Sequence, residues 1–96
     1  VPVDHDGNPA HVGDMAAQID LAFDNLEAVL TQAGGALSDV VQTTYYTTDV
    51  QGFGEAGEVL GQRLASGNCR PAATLVGVTS LFHPDVLFEV QAVAMF

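Results

Sequence analysis

One long amphipathic segment, residues 14–33, constrains the fold of this chain more than any other feature. Its large apolar residues recur at intervals of three and four, which is the spacing of one face of an α-helix. Asp14 is a typical N-cap, and Gly34-Gly35 is a strong stop signal. The rest of the chain must cover the apolar stripe, whose members are Met15, Ile19, Ala22, Phe23, Leu26 and Leu30.

Several other segments have the composition of regular elements. Runs rich in β-branched and aromatic residues predict strands, and a second, shorter apolar stripe predicts another helix after a loop. The turn-forming run Phe82-His83-Pro84-Asp85 predicts a hairpin between the last two strands. The predicted elements are the end of a strand at 1–4, strands at 40–48, 74–81 and 86–94, a loop at 49–54 and a helix near 55–65.

This order of elements predicts an α+β fold with two helices on one face of a mixed sheet. The length of 96 residues allows a single domain, residues 1–96. Two helices are enough to cover one face of the sheet, but the last two strands carry apolar residues on both faces. We therefore expect another copy of the chain to cover the second face. Strand alternation assigns Val76, Val78, Phe88 and Val90 to one face and Leu75, Leu87 and Val93 to the other.

The charge of the chain excludes some functions. Twelve acids face only two bases, Arg63 and Arg70, which gives a net charge of −10. Such a chain repels phosphate backbones, so we do not expect nucleic acid as a partner. A lone Cys69 forms no intrachain disulfide, which favours a reducing compartment. No apolar run reaches the roughly 20 residues of a membrane span, so we expect a cytoplasmic protein without a membrane partner.

No cofactor or metal site is expected. His5, His11, Asp4 and Asp6 lie close together in sequence, but their spacing matches no zinc or calcium pattern. A solvated turn is the simpler interpretation of this segment. The glycines do not follow a strand in the pattern that holds a phosphate, and they are interpreted as caps and turns.

Six segments in order along the chain resemble one known family, the Rid family (YjgF/YER057c/UK114, also called endoribonuclease L-PSP). The resemblance implies a chorismate-mutase-like mixed sheet and a homotrimer with small-molecule clefts between subunits. Members of the family usually carry two strands before the first helix, so the resemblance implies that these strands are missing before Val1. The matching segments are residues 13–19, 23–30, 33–41, 46–50, 70–78 and 88–94.

The resemblance also implies a chemistry. Rid deaminases hydrolyse imines and enamines such as 2-aminoacrylate; one arginine binds the substrate carboxylate, and a glutamate assists with a held water. Glu89 matches that glutamate, whereas Ala73 occupies the position of the arginine. Arg70 lies three residues earlier, so on an extended strand it would point to the opposite face. The other candidate ligand-binding residues are Tyr46, Thr74 and Leu75, with Arg70 as a weaker candidate.

Three functions follow as hypotheses. The first is a small-molecule-binding protein that is not a typical 2-aminoacrylate deaminase, because Ala73 leaves a larger and more apolar cleft. The second is an imine or enamine hydrolase for a substrate without a carboxylate, with Glu89 and a water as its catalytic groups. The third is an endoribonuclease, which the acidic charge disfavours.

Overall fold

A computed structural model describes all 96 residues, Val1–Phe96, as three helices beside one sheet. No helix in it is both long and apolar enough to span a membrane. In chain order the elements are α1 (Met15–Gln32), one 3-10 turn (Leu37–Asp39), β1 (Val40–Thr47), α2 (Val50–Glu55), α3 (Gly57–Ser66), β2 (Ala72–Gly77) and β3 (Phe88–Ala94).

Helix α1 forms as the sequence predicts. The Asp14 side chain accepts a hydrogen bond from the Ala17 backbone N–H at 3.0 Å, which satisfies one of the unpaired donors of the first turn. After the last turn Gly34 adopts a left-handed φ of 89°, which glycine accommodates without strain. The apolar stripe packs on β3 and α3, and its buried members are Met15, Ile19, Ala22, Phe23 and Leu30.

The sheet has the order β2-β1-β3, with β1 parallel to β2 and antiparallel to β3. The predicted hairpin between the last two strands is therefore wrong, because residues 78–87 carry the chain across β1 to its other edge. Burial explains the crossing. On that side Phe88 is fully buried and its ring stacks on those of Tyr45 and Phe53. The α+β class and the mixed sheet with helices on one face are confirmed.

The sheet order also corrects the predicted faces. Phe88 and Val90 lie in register with Thr47 and Tyr45, and all four face the helices. Val76 lies opposite Tyr46 and so faces the other way. Its assignment to the face of Phe88 and Val90 was wrong because it assumed that β2 and β3 were paired.

The predicted loop over residues 49–54 is a short helix, α2. The Asp49 side chain caps it by accepting the Gly52 backbone N–H at 3.0 Å. Phe53 is only 6% exposed, and its ring centroid lies 5.8 Å from that of Tyr45. Burial of this ring outweighs the poor helix propensity of Gly52 and Gly54.

The first residues form a closed turn instead of a strand of the sheet. Val3 makes a single antiparallel bridge to Pro9. The Asp4 carboxylate accepts the backbone N–H groups of Asp6 and Asn8 at 2.9 and 3.0 Å. The predicted strand end is thus replaced by a turn that Asp4 stabilises from within.

Candidate functional site

The face of the sheet opposite the helices carries three of the six predicted site residues, Glu89, Tyr46 and Thr74. Directly paired residues on neighbouring strands point to the same side, so the register defines the rows of this open face. The row that contains the candidate catalytic residue is Val76–Tyr46–Glu89 across β2, β1 and β3. The other two rows are Thr74–Thr44–Gln91 and Ala72–Gln42–Val93.

Glu89 is partly buried and lies beside two polar neighbours on this face. The Tyr46 hydroxyl donates a hydrogen bond to Gln91 Oε1 at 3.1 Å. This bond leaves the Gln91 amide hydrogens and a lone pair of the Tyr46 oxygen free for a ligand. The Glu89 carboxylate takes part in no salt bridge within the chain. The face therefore offers a carboxylate that can accept or donate a proton, with hydrogen-bonding groups around it.

The remaining predicted site residues lie apart from Glu89. Ala73 and Leu75 are in register with Thr43 and Tyr45, so they point to the helix side of the sheet. Leu75 is nevertheless 43% exposed, because no helix covers β2 on that side. Within one chain, then, Ala73 and Glu89 lie on opposite faces of the sheet, whereas Thr74 shares the face of Glu89.

Neither arginine lies beside Glu89. The Arg63 guanidinium bonds to Asp20, Asp24 and Glu27 of α1 at 2.7–3.1 Å, on the helix side. Burial opposes its charge, but the hydrogen bonds to Asp20 and Asp24 raise the pKa of Arg63. Arg70 is exposed and precedes β2. It lies six residues before Val76, which is in the Glu89 row, so the two are separated by about 20 Å along the strands.

A second set of polar groups is buried on the helix side. Thr43 Oγ1 and the Tyr45 hydroxyl are both inaccessible, and although they lie near each other, neither makes a hydrogen bond of ordinary geometry. Burial raises the pKa of the Tyr45 phenol, an effect that the nearby Thr43 hydroxyl only partly opposes. Burial likewise raises the pKa of the Cys69 thiol. A raised thiol pKa disfavours the reactive thiolate, so Cys69 behaves as a packing residue.

The two hollows of the chain lie away from Glu89. A groove of about 600 Å³ runs between α1 and the N-terminal turn. A hollow of about 330 Å³ adjoins Thr48 and His83 at the end of β1. A single chain therefore presents Glu89 on an open surface. The apolar wall of the larger groove consists mainly of Val1, Val3, Leu21, Leu26, Val29 and Val90.

Sequence reasoning missed Gln18, which is fully buried. Its side chain accepts the Leu87 N–H at 2.8 Å and donates to the carbonyls of Asp85 and His11 at 2.8 and 3.3 Å. It thereby holds the connection that leads into β3 and Glu89. The signal was present, since Gln18 lies between Met15 and Ile19 on the apolar stripe, where a polar residue must find buried partners.

Taken together, the fold and the open face define a small α+β domain with one candidate acid–base carboxylate on its sheet. The family model described as "Endoribonuclease L-PSP" matches residues 1–96. The chain therefore belongs to the endoribonuclease L-PSP family, the Rid or YjgF proteins, as the resemblance of its sequence predicted.

Named relatives agree with this assignment. A RutC family protein from Pyrococcus abyssi is 34% identical over 94 residues, which are 98% of this chain and 72% of the relative. The 3-aminoacrylate deaminase RutC of Acinetobacter baylyi is 32% identical over the same shares. A crystal structure of a YjgF/YER057c/UK114 family member from Mycobacterium tuberculosis is 41% identical, with a TM-score of 0.79 over 88% of this chain and 70% of that one.

Proposed function

We propose that this chain is a small-molecule-binding member of its family, that its ligand lies against the open face around Glu89, and that the complete site forms between subunits of a homotrimer. The observation that carries the proposal is the unpaired Glu89 carboxylate beside the Tyr46–Gln91 hydrogen bond. Polar groups on a sheet face that no helix covers are available to bind a ligand or a partner. A second copy that covers this face would turn it into a cleft.

The opposite orientation of Ala73 and Glu89 supports a site composed of two subunits. The resemblance assigns the carboxylate-binding arginine to position 73 and the acid–base group to position 89. Their side chains leave opposite faces of one sheet, so a ligand could touch both only if they came from different copies. With alanine at position 73, the site lacks the planar guanidinium that binds a carboxylate with two hydrogen bonds. We therefore expect little activity on 2-aminoacrylate.

An ammonia-release assay with freshly generated 2-aminoacrylate tests this proposal. The parent protein is expected to be inactive, and Ala73→Arg is expected to gain activity because it supplies the missing cation. Gln32→Arg is the matched control, since it adds the same side chain at an exposed position at the end of α1, away from the sheet. Parent turnover well above the uncatalysed rate, or equal gains from both variants, would contradict the role assigned to position 73.

The second candidate is hydrolysis of an imine or enamine that has no carboxylate. A relative named 3-aminoacrylate deaminase supports deamination as the class of reaction. Alanine at position 73 favours a substrate without a carboxylate, and Glu89 is free to act on a water molecule. In this reaction Glu89 removes a proton from water as the oxygen bonds to the imine carbon, and returns that proton to the nitrogen. Glu89 then takes the proton of the new hydroxyl group and passes it to the nitrogen as the C–N bond breaks, which gives a carbonyl product and ammonia. Ammonia release from neutral imines by the parent, and its loss in Glu89→Gln, would support this candidate over simple binding.

A further inference from the structure

The distribution of charge leaves Glu89 without a positive partner. The chain has twelve acids and only two arginines. Arg63 is held by three carboxylates on the helix side. Arg70 lies before β2, about 20 Å from the Glu89 row along the strands. A carboxylate on a partly covered surface, with no arginine nearby, creates a negative potential that an incoming ligand meets directly.

The groups around Glu89 favour a ligand that donates hydrogen bonds. The Tyr46 hydroxyl uses its proton on Gln91 Oε1, so its oxygen remains an acceptor toward the space above the sheet. The Tyr46 ring is directly opposite Glu89 in the register, where an aromatic face can also attract a cation. Thr44 and Thr74 in the next row are neutral and can donate or accept. The Gln91 amide hydrogens can also donate, so the preference for a donating ligand comes from the Glu89 charge and the Tyr46 oxygen.

We infer that the open face around Glu89 selects ligands that carry a protonated amine or iminium group and no carboxylate. This inference rests on the proposed function, because it concerns the ligand of the same face. The cationic nitrogen lies against Glu89 and donates to the Tyr46 oxygen. A ligand carboxylate is repelled by Glu89 and meets no compensating arginine.

A titration followed by NMR tests the inference with three probes that share a phenyl group and differ in charge. The probes are 2-phenylethylammonium, 2-phenylethanol and phenylacetate, added at about 0.1 M salt so that long-range effects of the net charge are screened. Shifts of the backbone amides of Tyr46, Glu89 and Gln91 report binding at the face. The cation is expected to bind about tenfold more tightly than the alcohol, a difference of about 1.4 kcal/mol, and the anion more weakly than either.

Two variants test whether the preference for the cationic probe comes from the charge of Glu89. Glu89→Gln keeps the shape of the face and removes its charge, so it should bring the cation and the alcohol to similar affinities. Glu55→Gln is the matched control, because it removes the same charge from an exposed position at the end of α2. It should leave the preference intact.

The outcomes separate this inference from the proposed function. If all three probes shift the face amides with equal affinity, or phenylacetate binds best, the inference about charge is wrong and the binding face stands. The inference is also overturned if Glu89→Gln keeps the full preference for the cation. If no probe moves these amides, the proposed binding face is wrong, and the inference is rejected with it.

Discussion

At the scale of single residues, Tyr45 combines a favourable ring with an unfavourable hydroxyl. Its ring packs against Phe53 and Phe88 with centroids 5.8 and 6.0 Å away. Its hydroxyl is buried without a hydrogen-bond partner. Aromatic contacts stabilise the folded state, whereas an unsatisfied buried hydroxyl costs about 1–3 kcal/mol. The two contributions can be separated by removing the oxygen alone.

Tyr45→Phe is expected to raise the free energy of unfolding at neutral pH by about 0.5–1 kcal/mol, because it keeps the ring and removes the unsatisfied group. It should also reduce the alkaline loss of stability. The folded pKa of Tyr45 is raised, so its contribution is intact below the unfolded value of about 10 and is lost as the pH rises above that value. Urea unfolding between about pH 7 and pH 11 measures both effects.

Tyr46→Phe is the control for this prediction. Its hydroxyl is hydrogen-bonded to Gln91 on the open face, so removing it should give no gain in stability. A loss of stability in Tyr45→Phe would instead show that the buried hydroxyl has a partner in solution, such as an ordered water. The alkaline loss that remains in Tyr45→Phe should include the contribution of Cys69, whose pKa is also raised by burial.

At this scale the sequence supplied candidate site residues but not the geometry that relates them. Strand alternation alone predicts that Tyr45 and Tyr46 face opposite sides, as they do. The row shared by Tyr46 and Glu89 could not be predicted, because it depends on the register between distant strands. For the same reason the sequence did not reveal that Ala73 and Glu89 lie on opposite faces.

At the scale of elements, the sequence predicted correctly the helix whose formation depends on residues within its own segment. Helix α1 followed from its cap, its stripe and its glycine stop, which all lie within the segment. The hairpin prediction was wrong because the turn-forming residues at 82–85 indicate only a local reversal of the chain. Which strand β3 pairs with is decided by long-range packing. Pairing β3 with the far edge of β1 allows α1 to bury Phe88. The helix α2 was missed because Phe53 is stabilised by the core and not by its neighbours in sequence.

The connection from β2 to β3 depends on a side chain of α1, which yields an element-scale prediction. Gln18→Leu keeps the volume of the side chain but leaves the Leu87 N–H and the Asp85 carbonyl without their partners. The free energy of unfolding should fall by about 2–4 kcal/mol, which is the cost of two unsatisfied backbone groups. Hydrogen exchange should also accelerate at the Leu87 amide, which is bonded to Gln18 Oε1.

Gln32→Leu is the matched control, since Gln32 ends the same helix and is exposed. A change of no more than about 0.5 kcal/mol is expected there. If Gln18→Leu were as stable as the parent, the crossing connection would be held by its other contacts. One such contact is the bond from the Thr47 hydroxyl to the Leu87 carbonyl at 2.7 Å.

At the scale of the whole molecule, β2 leaves one edge of the sheet unpaired. It is an edge strand that pairs only with β1, and α2 touches it only near its end, where Val50 lies against Gly77. Leu75 and Val93 lie on opposite faces of the sheet and are 43% and 50% exposed. An unprotected edge next to exposed apolar side chains favours association with another chain. The charge of −10 opposes nonspecific aggregation, so a specific symmetric assembly is the expected result.

The proposed homotrimer predicts a mass of about 30 kDa in sedimentation equilibrium, which is three times the 10.0 kDa of one chain. Leu75→Glu places a charge on the uncovered side of β2 and should shift the protein toward 10.0 kDa. Val12→Glu is the control, because Val12 is 63% exposed and precedes α1. A parent protein that sediments as a single chain at micromolar concentration would contradict the proposed assembly.

One double variant tests whether the activity gained by Ala73→Arg requires association of the subunits. If the site is composed of two copies, activity that Ala73→Arg gains on 2-aminoacrylate requires the arginine of one subunit and Glu89 of another. Adding Leu75→Glu to Ala73→Arg should therefore abolish the gained activity while circular dichroism shows that the chain stays folded. Adding Val12→Glu should leave the activity unchanged. If the double variant with Leu75→Glu kept its activity as a single chain, Ala73→Arg would reach the substrate within one subunit, and the argument from opposite sheet faces would be wrong.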